Sequence, residues 1–166
     1  MITFREFLPE LWASKIFDYS RQKNGSVYGV GYFWKQMIDA KKWISISNPK
    51  KSHLRLHKKN ECSYCNEKIT AEGGDGDHVV GRDMDDIHWL VPCCKQCNSS
   101  KGKKDLIEWW VDFKGKNILD LDKDVLSVYV RGKYRLFDRE GKLDEECPEY
   151  FELALQQIKN NWVVVV

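Results

Sequence analysis

The 166 residues, 42% apolar and 13% aromatic with seven tryptophans, suffice for one domain with a buried core and exclude a disordered chain. A net charge of +2 makes no general case for a polyanionic partner, so any such affinity must be local. No uninterrupted apolar run approaches the roughly 20 residues of a membrane-spanning helix. The opening MITFREFLPELW lacks the basic start, long apolar run and small-residue cleavage site of a secretory signal, so a cytoplasmic location is expected.

Residues 3–20 read as an amphipathic helix. Thr3 and Glu6 have capping-box spacing, and Phe4, Phe7, Leu8, Leu11, Trp12 and Ile16 recur at helical intervals. Pro9, tolerated in a first turn, marks an alternative start. Asn24-Gly25 breaks the pattern, and a second helix is expected over 27–42 with Tyr28, Phe33, Trp34, Met37 and Ile38 buried. The following stretch is basic: Lys41, Lys42, Lys50, Lys51, Arg55, Lys58 and Lys59 occur without an acid among them. His53 and His57 share helical spacing but lack a third ligand nearby, so they read as solvated or phosphate-contacting side chains. Lys95, Lys101, Lys103 and Lys104 form a second basic cluster, and Asp138, Glu140, Asp144, Glu145, Glu146, Glu149 and Glu152 make the C-terminal part acidic. This asymmetry suits a polyanion binder that uses one face.

The most informative stretch runs from Cys62 to Lys104. A hairpin turning through Gly73-Gly74 is expected up to about Val80, and a helix from Asn98 to about Phe113 with Leu106, Ile107, Trp110 and Val111 as its apolar face. The local order is strand, strand, helix. Residues 121–140 carry β-prone Val125, Leu126, Val128, Tyr129 and Val130, but strands rarely run so long, so a helix is expected. Pro148 opens a last helix with Phe151, Leu153, Leu155, Ile158 and Trp162 apolar, and Val163 to Val166 read as a docked end or edge strand.

Four of the six cysteines fall in two C-x-x-C pairs, Cys62/Cys65 and Cys94/Cys97. Thiolates at i and i+3 aim two sulfurs at one ion, and two such turns complete a tetrahedral, structural zinc site with no position open to substrate. Cys93 is a competitor with poorer spacing, and Cys147 reads as a lone thiol.

Asp77-His78, followed by Cys94-Lys-Gln-Cys97-Asn98-Ser-Ser-Lys101-Gly102, resembles the HNH endonucleases, the ββα-metal group, in the subgroup stapled by a C-x-x-C pair on either side. The resemblance covers about a quarter of the chain. It implies an α+β fold: a small ββα-metal core over 61–114 with the four-cysteine zinc site, an N-terminal helical region with the basic stretch over 1–60, and a C-terminal helical region over 115–166. It implies a hydrolase that cuts DNA, double-stranded in the first instance, leaving 5′-phosphate and 3′-hydroxyl ends, with RNA as an alternative substrate. Asp77 and Asn98 would bind a catalytic Mg²⁺ or Mn²⁺, and His78 would be the general base. Lys101, Lys103 and Lys104 would contact backbone phosphates, with Lys50, Lys51, Lys58 and Lys59 adding to the footprint. A homodimer would follow from site-specific cutting of both strands. The chain departs from the family pattern at Trp89, where a middle Asn is expected to fix the loop that orients the histidine; His88 is a substitute for its hydrogen bond. That departure motivates an alternative, a catalytically silent zinc module that binds nucleic acid.

Overall fold

The computed structural model describes residues 1–11, 60–70, 74–82 and 90–161. The expected helix over 27–42, the basic residues Lys50, Lys51, Lys58 and Lys59, the histidine pair His53 and His57, the loop residues His88 and Trp89, and the tail from Val163 lie outside the described residues.

Among the described residues the elements are helix α1 (4–11), strands β1 (Gly74–His78) and β2 (Leu90–Cys94), and helix α2 (Lys95–Lys101). A π-helical stretch Glu108–Phe113, a 3₁₀ turn Ile118–Asp120 and helices α3 (Lys123–Glu140) and α4 (Glu149–Asn161) follow. The class is α+β. No helix among the described residues is long and apolar enough to cross a membrane.

β1 and β2 pair antiparallel, with Gly74 opposite Cys94, Gly76 opposite Pro92 and His78 opposite Leu90. The connection between these strands therefore lies beyond His78, and Gly74, expected in the hairpin turn, instead begins β1, while Gly73 lies outside the described residues. Pro92 is tolerated because a residue's N and O point to the same side of an antiparallel strand. Its carbonyl accepts from the Ser63 N–H (2.9 Å), away from β1, so its missing N–H breaks no rung of the ladder. β2 then passes into α2 with no intervening loop. Cys94 is the N-cap, its sulfur accepting from the Cys97 N–H at 3.3 Å.

The helix expected over Asn98 to Phe113 is two pieces. α2 stops at Lys101, where Gly102 adopts φ 53, a conformation that suits glycine. The second piece restarts behind Asp105, whose carboxylate accepts from the Ile107 N–H (2.9 Å), and widens into π-helical bonding such as Lys114 N–H to the Trp109 carbonyl. The wider turn buries Trp109 together with Trp110, Leu106 and Ile107, whereas plain helical spacing leaves Trp109 off the apolar face.

α3 is helical as its length suggests. Asp122 caps it, accepting from the Val125 N–H (3.1 Å), and Gly141 at φ 70 ends it. Val125, Leu126, Val128, Tyr129, Val130 and Tyr134 are all buried. So many consecutive buried residues place apolar side chains on more than one helix face, which explains the strand-like alternation in the sequence.

α1 begins at residue 4, not near Pro9. Thr3 donates its backbone N–H and its hydroxyl to Glu6 (2.9 and 3.0 Å), and that capping contact fixes the start. Phe4 and Phe7 meet Phe151 of α4 edge-on at 5.4 and 4.7 Å between ring centroids, each such pair contributing about 0.5–1.5 kcal/mol beyond burial. Backbone bonds from Phe4 and Arg5 to the carbonyls of Glu145 and Leu143, and from Cys147 to Ile2, clasp residues 2–5 to 143–147. One buried apolar cluster runs from Phe4 through the cysteines and Trp109 to Ile158.

Candidate metal centre

Two knuckles build the cysteine cluster. In the first, residues 60–69 fold back on themselves through the Glu61–Lys68 bridge, with Asn60 and Asn66 at φ 58 and 63. Asparagine visits this left-handed region more readily than most residues, so it closes the turn without glycine. The Cys62 carbonyl accepts from the Asn66 N–H, and the Cys62 sulfur accepts from the Tyr64 N–H at 3.4 Å. The second knuckle is the β2–α2 junction itself, with Cys94 and Cys97.

The sulfurs of Cys62, Cys65, Cys94 and Cys97 all lie within 4.8 Å of one another, and those of Cys65 and Cys94 are 3.9 Å apart. A tetrahedral ion held about 2.3 Å from each thiolate needs sulfur–sulfur edges of about 3.8 Å, so the donor set fits zinc. The same distance is far beyond the roughly 2.05 Å of a disulfide. Burial pushes the Cys62 thiol up, but backbone N–H groups of Cys65, Cys94 and Tyr64 outweigh it and hold the thiol below its ordinary value. That favours the thiolate a metal needs. Cys65 and Cys97 are raised, chiefly by burial. Cys93 does not join the cluster: it is fully buried, its sulfur 3.8 Å from the Asp75 carbonyl.

Next to the cysteines, β1 and α2 face each other through two polar rungs. Asp75 and Asp77 are two apart on a strand and Asn98 and Lys101 three apart on a helix, so each pair shares a face. Asn98 Nδ2 donates to Asp75 Oδ2 at 2.9 Å, and Lys101 Nζ lies 3.1–3.2 Å from the two oxygens of Asp77. Tyr64 Oη also donates to Asp77 Oδ2, and Lys101 Nζ reaches the His78 carbonyl at 3.3 Å. Tyr64 itself is buried edge-on against Trp109 at 5.0 Å, and its phenol is raised well above its ordinary range, first by burial and then by the Asp77 charge.

Two of the expected site residues are buried and paired with each other. Lys101 is 2% exposed and forms an ion pair with Asp77. Asp77 is also 2% exposed, and both of its oxygens already accept hydrogen bonds. His78 ends β1, half-buried, and Asn98 stands in α2 as expected, but against Asp75, a residue the sequence reading passed over. Its position two before Asp77, on the same strand face, was the available signal. Lys103 is exposed, while Lys104 lies over the Phe113 ring at 4.8 Å and donates to the Ser100 carbonyl.

No protein-family model and no curated protein matches this chain. The four cysteines form a cluster able to hold a metal ion such as zinc.

Proposed function

We propose that the chain is a divalent-metal-dependent endonuclease of the HNH type, acting on DNA. The observation that carries the reading is the meeting of β1, which ends in Asp77-His78, with the Asn98-bearing α2 beside the four-cysteine cluster. In this reading zinc in the cluster is structural, since sulfur would fill all four positions. His78 takes the proton from the attacking water, a role suited to a side chain whose unperturbed pKa lies near neutrality. Asn98 and a carboxylate of β1 would hold Mg²⁺ or Mn²⁺, an ion that would supply Lewis-acid stabilisation of the charge developing on the phosphate and the departing 3′ oxygen. Products are 5′-phosphate and 3′-hydroxyl ends. Exposed Lys103 supplies phosphate contact, joined by the basic stretch containing Lys50, Lys51, Lys58 and Lys59.

The test is cleavage of supercoiled plasmid by zinc-loaded protein with Mg²⁺, Mn²⁺ or EDTA, beside His78→Ala. Metal-dependent nicking or linear bands, lost in the variant while DNA binding persists, is the expected result. A folded protein that binds DNA and cuts neither plasmid nor RNA would instead be a non-catalytic zinc module.

A further inference from the structure

We infer that Phe113 is a stacking platform for an unpaired nucleobase, with Lys103, Lys104, Lys114 and Lys116 contacting the flanking phosphates. The inference rests on the nuclease reading above and adds a preference to it, for nucleic acid that is single-stranded or locally opened.

Phe113 closes the π-helical stretch and is 62% exposed. No other aromatic side chain among the described residues is exposed, and Trp109 and Trp110 of the same stretch are buried. A phenyl ring left in water contributes little to folding. The backbone around it instead gathers lysines. Trp109 Nε1 donates to Ser100 Oγ at 3.0 Å, which docks the end of α2 against the stretch. Lys104, donating to the Ser100 carbonyl, thereby lies over the Phe113 ring at 4.8 Å. Beyond Phe113, Gly115 at φ 62 turns the chain, and the Lys116 N–H reaches the Trp110 carbonyl at 3.0 Å. The Lys116 ammonium then lies over the Trp110 ring at 4.7 Å, and that of Lys114 over the Trp109 ring at 5.4 Å. Ring quadrupoles thus hold three ammonium groups along one aromatic cluster. Lys103, Lys114 and Lys116 are exposed. Asp105 is already paired with Lys133. The other acids of the stretch, Glu108 and Asp112, act on Tyr150 of α4, whose phenol is pushed up first by burial and then by Asp105, Glu108 and Asp112. The lysines are left in excess around the ring.

A flat apolar ring among ammonium groups matches a base set between phosphates. Basic grooves with aromatic platforms hold single strands in this way, with little regard to sequence. Lys104 occupies one side of the Phe113 ring, and the 62% exposure leaves the rest of its surface to a base. A base inside a duplex is stacked on both faces and has none to offer, so the platform takes a base only where the strand is unpaired. A protein partner suits the surface less well. Lysine is depleted in protein interfaces, and one ring falls short of an apolar interface core.

The test is fluorescence anisotropy with the zinc-loaded full chain and three labelled probes of equal length: oligo-dT, the same strand without bases, and a duplex. The wild type should bind oligo-dT at least fivefold tighter than the abasic strand. Phe113→Ala should lose about 5- to 150-fold on oligo-dT, the range for one base stacked on an aromatic ring. Its melting temperature and its affinity for the abasic strand and the duplex should stay as in the wild type, and Phe113→Trp should keep oligo-dT binding. Lys114→Gln with Lys116→Gln should weaken both single strands alike and lower the salt slope by about 0.7 per lysine. If Phe113→Ala fails to fold, wild-type NMR decides: the Phe113 ring signals should shift with oligo-dT and not with the abasic strand. Wild-type oligo-dT affinity in Phe113→Ala, no preference for oligo-dT over the abasic strand, an unchanged salt slope, or unmoved ring signals would overturn the platform. Any of these beside metal-dependent plasmid cleavage would leave the nuclease reading standing. Phe113-dependent oligo-dT binding without cleavage of plasmid, single strand or RNA would sink the nuclease reading and leave the platform standing.

Discussion

The Lys101 ammonium lies 3.1 Å from Asp77, and both side chains are almost wholly removed from water. Burying two charges is costly, and removing one partner strands the other, a loss of about 3–5 kcal/mol. Lys101→Met should therefore unfold at markedly lower urea than the wild type. Asp77→Leu combined with Lys101→Met should regain a substantial part of that loss, because no charge is then left unpaired. Urea titrations showing the two single effects simply summing in the double variant would refute a direct pair.

Metal content follows from the sulfur geometry. The purified protein should carry one zinc per chain, and Co²⁺ in its place should give the visible bands of a tetrahedral four-thiolate site. Cys65→Ser or chelation should unfold the knuckles and β2–α2, because metal binding here is folding free energy. Cys93→Ser should keep the metal, since that thiol points to the Asp75 carbonyl and not into the cluster. Cys147, buried and with its thiol pushed up to about 12, mainly by burial, should resist alkylation in the native state.

Asp105 ties the helical restart to α3. Tyr129 Oη donates to both of its oxygens at 3.0 and 3.1 Å, and Lys133 Nζ pairs with it at 2.6 Å. Tyr129→Phe should cost about 1.5–3 kcal/mol, the range for a hydrogen bond to a charged group. Asp105→Ala should cost more, since it orphans the buried phenol and uncaps the Ile107 N–H. A double-mutant cycle measured by thermal unfolding should show strong non-additivity.

Acid should loosen the clasp first. Asp144 is held below its ordinary value of 3.8 by hydrogen bonds from Arg5, and Glu6 below 4.5 by hydrogen bonds from Thr3. Both folded values are depressed, so their contributions are complete above the ordinary carboxylate range and vanish as pH falls through the lowered ones. Amide exchange at Phe4, Arg5 and Cys147, corrected for its intrinsic pH dependence, should lose protection as pH falls below the ordinary carboxylate values of 4.5 and 3.8. Asp144→Asn should flatten that dependence. Identical profiles for the two proteins would rule out a role for the Arg5 pair.

The cysteine cluster was legible in the sequence because thiolate spacing is a local property of a turn. The helices of α3 and α4, and the capping at Thr3, were legible for the same kind of reason. Lys101 was not: three lysines stand within four residues, and only the placement of β1 against α2 decides which one turns inward. The same placement sets Asp75 against Asn98. Gly73-Gly74 misled because a glycine pair reads as a turn, whereas Gly74 and Gly76 serve here as strand residues opposite Cys94 and Pro92. The π-helical stretch arises from burying two adjacent tryptophans, and no local pattern announces it.

β2 is buried at Leu90, Val91, Pro92 and Cys93 alike, so both of its faces are apolar. Hydrophobic alternation, which ordinarily penalises a strand that slides by one residue, therefore has little to say about its alignment. Its last two residues are both cysteines, and a slide would turn Cys93 toward the ion and Cys94 away. An ion held in the cluster would accept sulfur only where Cys94 and Cys97 cap the helix together, so zinc bound there would act as a proofreader of strand alignment during folding. Protein refolded without metal should populate misaligned hairpins, and late addition of zinc should rescue it slowly.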